Sequence, residues 1–522
     1  MNRDTKRSFI RTQIEHWAVK APKRIAFSDN SGRVVNYENL LEKSNDLRSR
    51  WLKLGLTESA PVLIYLPRSS SKACYIASLL SANFPGIVLN MKTPMTELVK
   101  ILKEYPVRAF ISESSIGKTI LSKSPQSKII GEIEDESGIS SFILGPKSNP
   151  SLESELLSTA WFLQTSGSTG RPKMVKLSWQ NLLARTLGEI ELFKISENDL
   201  LLNCLSASHD LGLNQILTSL YAGAQLRIEC MAMPQDLARH LEQGDVRGIT
   251  GTPLLWTSGL LHVKNESSLP YEYAGYLTIS GGQMSEANLL KFVNLFPKAR
   301  IIKTYGQTET FRTFSEVRPG KILGSSSGRV VSNVEAVLLN DSRELCKAGE
   351  IGELLHFGDG VMDGYFGDEV LSNQKLVEPT GLRFPLNKPG KGVLTGDYFF
   401  RDADNEYHFV GRRDDMIKRL DHRIYLSEIQ NKIASSGLVK DAFVSVHKGV
   451  NAYGLEGCLV AWIVVDPVKG YSEKEIRQFC KMNLDKYKIP DKFITIDEFP
   501  RTATEKIDRQ RLIDFYHEMN QS

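Results

Sequence analysis

The stretch Ala160-Trp161-Phe162-Leu163-Gln164-Thr165-Ser166-Gly167-Ser168-Thr169-Gly170-Arg171-Pro172-Lys173 decides how the chain is read. An apolar segment, Ala160 to Leu163, runs into nine residues rich in Ser, Thr and Gly. Glycines let a backbone approach a ligand closely, free N–H groups and hydroxyls donate to phosphate oxygens, and Lys173 adds positive charge. A triphosphate is the natural occupant. A solvated Ser/Gly surface loop would explain a shorter run, but not one with Pro172 and Lys173 set behind the glycines. It is not a Walker A loop: the one Gly-Lys-Thr triplet, Gly117-Lys118-Thr119, has Ser112 where the first glycine should stand.

Outward from this loop the periodicity alternates. Towards the N-terminus a helix over Tyr37 to Leu52 is followed by a strand at Val62 to Leu66, a helix near Ala73 to Leu80 and a strand at Gly86 to Leu89. Towards the C-terminus the apolar runs Leu200 to Leu205, Gln225 to Ile228, Gly248 to Thr250, Tyr276 to Ser280 and Arg300 to Lys303 continue the pattern. The fold class is α/β, with a large N-terminal body of layered α/β subdomains. From Val330 short alternating strands (Glu335 to Leu339, Gly352 to Phe357, Tyr407 to Val410) predict a β-rich subdomain. After the polar stretch starting at Gly411 comes a smaller α+β segment, with helices from Ser427 and Ser472 and strands near Ala442 to His447 and Gly457 to Val465. The expected domains are 1–413 and 414–522. Gly324 to Gly328 reads GSSSG, a linker by composition, but it sits between segments that read as structured.

Composition narrows the function classes. With 522 residues, 41% hydrophobic and 24% charged, the chain is an ordinary soluble protein large enough for more than one core. A net charge of +4, from 65 basic and 61 acidic residues, argues against nucleic acid as the partner. The six cysteines lie far apart, without zinc-site pairs, and fit a reducing compartment. The N-terminus lacks a signal-like apolar run, and the most apolar stretch, Ala73 to Leu89, is interrupted by Ser78, Ser81, Asn83, Pro85 and Gly86; a buried helix entering a strand is expected there, with no membrane span and a cytoplasmic location.

The Thr165 to Lys173 loop, with further motifs in order, resembles the adenylate-forming superfamily: acyl-CoA and aryl-CoA ligases, amino-acid adenylation domains and luciferase. Tyr305-Gly306-Gln307-Thr308-Glu309 is similar to that family's Y-G-x-T-E segment, Gly352-Glu353-Leu354 through Gly364-Tyr365 to a structural segment, Thr395-Gly396-Asp397 to its ribose-binding segment, and Gly411-Arg412-Arg413-Asp414 to its hinge. Pro500 to Arg509 resembles the segment carrying its catalytic lysine, here Lys506. The resemblance runs from Val35 to Leu512. It implies ATP and Mg2+ as cofactors, with Thr165, Ser166, Gly167, Ser168, Thr169 and Gly170 around the phosphates, Tyr305 at the adenine, Asp397 and Arg412 at the ribose, and Gly282 and Gln283 as further nucleotide-binding positions. Lys173, Thr308, Glu309 and Lys506 would be catalytic, Glu309 also holding magnesium. Asp414 would carry a rotation of the small, mobile C-terminal domain, opening a path for a phosphopantetheine or CoA thiol. Asp421 and Glu505 stand where the family usually has glycine, which leaves thiol transfer less defined than adenylation.

In amino-acid-activating relatives an aspartate early in the pocket helix pairs with the substrate ammonium. Asp210 aligns there, with Asn214, Thr250, Ser280, Gly281, Thr304 and Arg312 as further substrate-binding positions. His209-Asp210-Leu211-Gly212 also resembles the H-D-x-G of fatty acyl-AMP ligases. Asp210 and Arg312 together suggest a small amino acid with a second polar or anionic group, loaded onto a phosphopantetheinyl carrier protein in trans, or onto CoA. A fatty or aryl acid ligase and a non-catalytic nucleotide-binding relative are the alternatives.

Overall fold

The computed structural model describes residues 9–145, 156, 158–165, 173–229, 234–259, 270–381, 384–386, 390–419, 422–450, 456–465, 470, 472–501 and 507–521. Five strands, Gln225–Ile228, Leu200–Asn203, Gly248–Gly251, Tyr276–Ile279 and Arg300–Gln307, pair in parallel in that spatial order. Their Leu- and Ile-rich runs suit strands covered on both faces. Phe311–Glu316 then turns back antiparallel on Arg300–Gln307, and Ser326–Val330, Tyr407–Arg412, Gly392–Arg401, Gly352–Phe357 and Glu335–Leu339 extend the same sheet, which reaches 14 strands with Ile25–Asp29, Val34–Asn36 and Leu376–Val377. The β-rich region is thus continuous with the parallel one. Ser326–Val330 includes most of the GSSSG tract; it is an interior strand, with Gly328 at φ 98° passing close to the Ser315 carbonyl.

A second sheet of eight strands holds Val62–Tyr65, Gly86–Val88 and Thr159–Thr165. Thr159–Thr165 pairs antiparallel with Lys173–Ser178, and Thr165 and Lys173 are direct partners. The Ser/Gly loop therefore begins and ends on adjacent strands of one hairpin. The helix Ser70–Ser81 is buried along its whole length, its serines and Lys72 included. Among the described residues no helix is long and apolar enough to cross a membrane.

Beyond Asp415, a hairpin (Met416–Arg419, His422–Tyr425) leads to the sheet Asp441–Val450, Glu456–Val464, Lys492–Ile496, flanked by helices Leu426–Ala434, Glu473–Asn483 and Arg509–Gln521. The buried residues of its cores, around Ile429, Val444, Ala461 and Ile476 and around Trp462, Leu512 and Tyr516, all lie after 423, with Ile417 of the hairpin packed against the first. This smaller domain touches the body where Arg509 Nη2 donates to Asp415 Oδ2 at 2.9 Å, Ser427 Oγ to the Val410 carbonyl at 3.0 Å, and Asn431 Nδ2 to Gln283 Oε1 at 3.0 Å.

Candidate active site

Three clusters converge at the C-terminal ends of the parallel strands, where ligands of open α/β sheets bind. The first centres on Asp397. Thr395-Gly396-Asp397 lies inside the strand Gly392–Arg401, with Gly396 at φ 74°. Asp397 is 3% exposed and accepts from Tyr305 Oη at 2.6 Å, Gln307 Nε2 at 2.8 Å and Arg412 Nε at 2.9 Å. Burial and then Asp397 push the Tyr305 hydroxyl well above the ordinary tyrosine range, and Asp397 raises Arg412. The Tyr305 ring stacks on Phe314 at 5.5 Å and meets Phe399 edge-on at 4.9 Å, so its position is set by packing.

The second cluster is Glu309. Its Oε1 accepts from Tyr365 Oη at 2.8 Å, and the Tyr365 ring lies under Lys173 Nζ at 5.6 Å. Burial and then Glu309 raise the Tyr365 hydroxyl. Among the described residues the other Glu309 oxygen has no hydrogen-bond partner, which suits a carboxylate that takes a cation. The Thr308 carbonyl accepts from Arg185 Nη2 at 2.9 Å, and Arg185 Nε donates to the Gly360 carbonyl at 2.8 Å. Gly306 is obligatory at the bulge between Arg300–Gln307 and Phe311–Glu316: a Cβ there would sit 1.4 Å from the Phe311 carbonyl oxygen.

The third cluster surrounds a buried ion pair. Arg312, 7% exposed, donates to Glu189 Oε1 through Nη2 at 2.6 Å and Nε at 3.2 Å, and to Thr304 Oγ1 through Nη1 at 2.6 Å. Asn214 Nδ2 donates to Glu189 Oε2 at 2.5 Å, and Thr304 Oγ1 bonds Ser280 Oγ at 2.7 Å. Burial raises the Glu189 carboxyl, and Arg312 opposes the shift. The anion expected for Arg312 from a substrate is therefore supplied by the chain. Thr250 Oγ1 is buried without a partner among the described residues.

Asp210 opens the helix Asp210–Ala222, its Oδ1 accepting from the Leu211 N–H at 2.8 Å; it forms no ion pair among the described residues. Gly212 is fixed by packing, since a Cβ would lie 2.3 Å from the Ser206 carbonyl oxygen, so the glycine of H-D-x-G is accounted for without a fatty chain. Gly281 (φ 79°) approaches Leu211, while Gly282 and Gln283 are exposed. Asp414 is exposed in the 3-10 turn Arg413–Asp415. Ser166 to Gly170, Lys506, Asp421 and Glu505 lie outside the described residues. Sequence reasoning missed Arg185 and Glu189. Both fall on the buried stripe Leu182, Arg185, Thr186, Glu189, Phe193 of the helix Trp179–Phe193, and charges on an otherwise apolar helical stripe are the signal that could have found them.

Strands that switch from parallel to antiparallel pairing at Arg300–Gln307, with a buried carboxylate ringed by tyrosine, glutamine and arginine beside them, make a candidate nucleotide site. The chain belongs to the AMP-binding enzyme family, the ATP-using adenylate-forming ligases: the AMP-binding enzyme profile matches residues 14–366, and that of the AMP-binding enzyme C-terminal domain matches 428–506. It is 27% identical to a D-alanine–D-alanyl carrier protein ligase of Bacillus licheniformis, over 96% of this chain and 98% of that one. It is 26% identical to a dimodular nonribosomal peptide synthase of Bacillus subtilis, over 96% of this chain but spanning only 21% of the synthase. ATP-bound MatB of Rhodopseudomonas palustris shares the fold at TM-score 0.83 and 19% identity, covering 98% of this chain and 99% of that one. o-Succinylbenzoate CoA synthetase of Bacillus subtilis, solved with ATP and magnesium, does so at 0.77 and 22%, covering 96% and 98%.

Proposed function

We propose that the chain activates a small amino acid as its acyl adenylate and passes the acyl group to the phosphopantetheine thiol of a carrier protein. The carrying observation is Asp210: a carboxylate at the head of the pocket helix, with no side-chain cation bound to it among the described residues, together with an Arg312 that is already paired with Glu189. An ammonium suits the first, and an uncharged side chain suits the second. Of the polar or anionic second group expected opposite Arg312, the anionic form is disfavoured and a small uncharged side chain is preferred, because a second carboxylate would have to displace Glu189 from a buried pair. Likeness to the D-alanine–D-alanyl carrier protein ligase over nearly its full length supports both the amino acid and the carrier acceptor.

The residues suit an ATP–magnesium group. ATP supplies an electrophilic phosphorus and a pyrophosphate leaving group, and magnesium offsets charge on its phosphates. Asp397, held by Tyr305, Gln307 and Arg412, would accept from the ribose hydroxyls, Glu309 would hold the metal, and Thr165, Ser166, Thr169 and Lys173 would donate to the phosphates. Lys506 would offset charge between the substrate carboxylate and the α-phosphate, and Asp414 would be the hinge that withdraws it. ATP–pyrophosphate exchange across a panel of amino, fatty and aryl acids tests the reading. Small amino acids should support exchange, Asp210→Ala should abolish it, and Lys506→Ala should slow it by about 10²-fold. Fatty-acid exchange that survives Asp210→Ala would favour the fatty acyl alternative, and no exchange with any acid would favour a binding-only protein.

A further inference from the structure

Arg185 is 3% exposed, and burial pushes its guanidinium down to about 10, opposed by Asp210, Glu309 and Asp363, so it stays charged at neutral pH. A buried cation without a direct carboxylate partner is costly unless its donors are used. Nη2 and Nε are spent on the carbonyls of Thr308 and Gly360, and the guanidinium lies over the Phe311 ring at 5.4 Å. Thr308 immediately precedes Glu309, and Gly360 lies two residues before Met362, whose N–H donates to the Glu309 carbonyl at 2.9 Å. One side chain thus grips both segments that bracket the Glu309 backbone.

The third donor, Nη1, has no partner among the described residues, and neither does Nε2 of His356. Both residues line a cavity of about 20 Å3, room for one water. His356 is fully buried and kept neutral by burial and by Arg185, which push it down to about 3. Its Nδ1 is 2.9 Å from Thr313 Oγ1. With the proton on Nδ1, Nε2 is an acceptor, and a water can take a hydrogen bond from Arg185 and give one to His356.

We propose that Arg185 is a positioning residue for adenylation, anchored through one buried water to His356 and holding, through the Thr308 and Gly360 carbonyls, the backbone that presents Glu309. This rests on the reading of Glu309 as the magnesium ligand. The consequence is specific: loss of Arg185 should weaken the metal's contribution to ATP binding more than ATP binding itself.

The test is calorimetric titration of ATP into the full chain with excess magnesium and with EDTA, the ratio of the two dissociation constants reporting the metal's contribution. Glu309→Gln should collapse the ratio; if it does not, the magnesium reading itself fails. Given that collapse, Arg185→Gln should lower the ratio by about tenfold, leave the EDTA value within a factor of two or so, and have no further effect on the ratio in the Glu309→Gln background. Arg185→Lys should behave likewise, since one ammonium cannot span both carbonyls. His356→Leu, which keeps Arg185 but removes the acceptor, should lower the ratio by about threefold, and it carries the test should the Arg185 variants not fold. Equal losses with and without magnesium, or losses that add to those of Glu309→Gln, would overturn the proposal and leave Arg185 a packing residue.

Discussion

Glu189→Gln isolates the buried ion pair. Glu189 is 2% exposed and takes two bonds from Arg312 and one from Asn214. The amide keeps the shape but removes the charge, leaving an arginine at 7% exposure with Thr304 Oγ1 and the rings of Phe193 and Phe311, at 5.8 and 5.0 Å, as its remaining company. Breaking one side of a buried pair costs about 3 to 5 kcal/mol; the retained amide oxygen and the ring contacts place Glu189→Gln near about 3 kcal/mol at the lower end of that range. Urea unfolding should show a lower midpoint at unchanged slope. The double variant Glu189→Leu with Arg312→Met, which removes both charges, should lose less than the single one. A single variant as stable as the wild type would mean that Arg312 does not depend on Glu189, and the argument for a neutral substrate side chain would fall with it.

Lys72 is 4% exposed and, among the described residues, donates to the carbonyls of Leu66 at 2.8 Å and Leu89 at 3.5 Å and to no carboxylate; burial and then Arg68 push it from 10.5 down to about 7. Between pH 7 and 10.5 the unfolded chain holds a proton that the folded one lacks, so this group's contribution rises with pH across that window and is lost as pH falls through 7. Lys72→Met should therefore raise the melting midpoint at pH 7 and progressively less towards pH 10, and an equal shift at both ends would contradict the assignment. Asp397→Asn should raise the dissociation constant for ATP by about tenfold or more, since the carboxylate orders three donors around it; titration with ATP at unchanged fold checks this, and unaltered affinity would remove Asp397 from the nucleotide site.

Much of the body was legible because its strands are short apolar runs with turns between them: Gln225–Ile228, Glu335–Leu339 and Gly352–Phe357 match their sequence reading residue for residue. Phe311–Glu316 and Ser326–Val330 were not. The first carries Arg312 and Thr313 in an irregular pattern, and the second is spelled by linker residues whose pairing on both sides makes them a strand. Composition describes what a residue tolerates, and tertiary pairing decides what it does. At the site, residues in local motifs were found, whereas the partner of the strand residue Arg312 lies 123 positions away on the helix Trp179–Phe193. No spacing rule links the two; only the packing of Trp179–Phe193 against the sheet does.

The proposed recognition of an amino acid at its ammonium by Asp210 is tested by comparing ATP–pyrophosphate exchange supported by alanine with that supported by propionate, which differs only in lacking the amine. A site built around a charge-assisted hydrogen bond rejects the analogue without it by about 10²-fold or more. Alanine, as one enantiomer or the other, should exceed propionate by at least this factor, and Asp210→Ala should erase the difference; exchange with propionate or a longer fatty acid equal to or faster than with any small amino acid would rule out recognition at the ammonium.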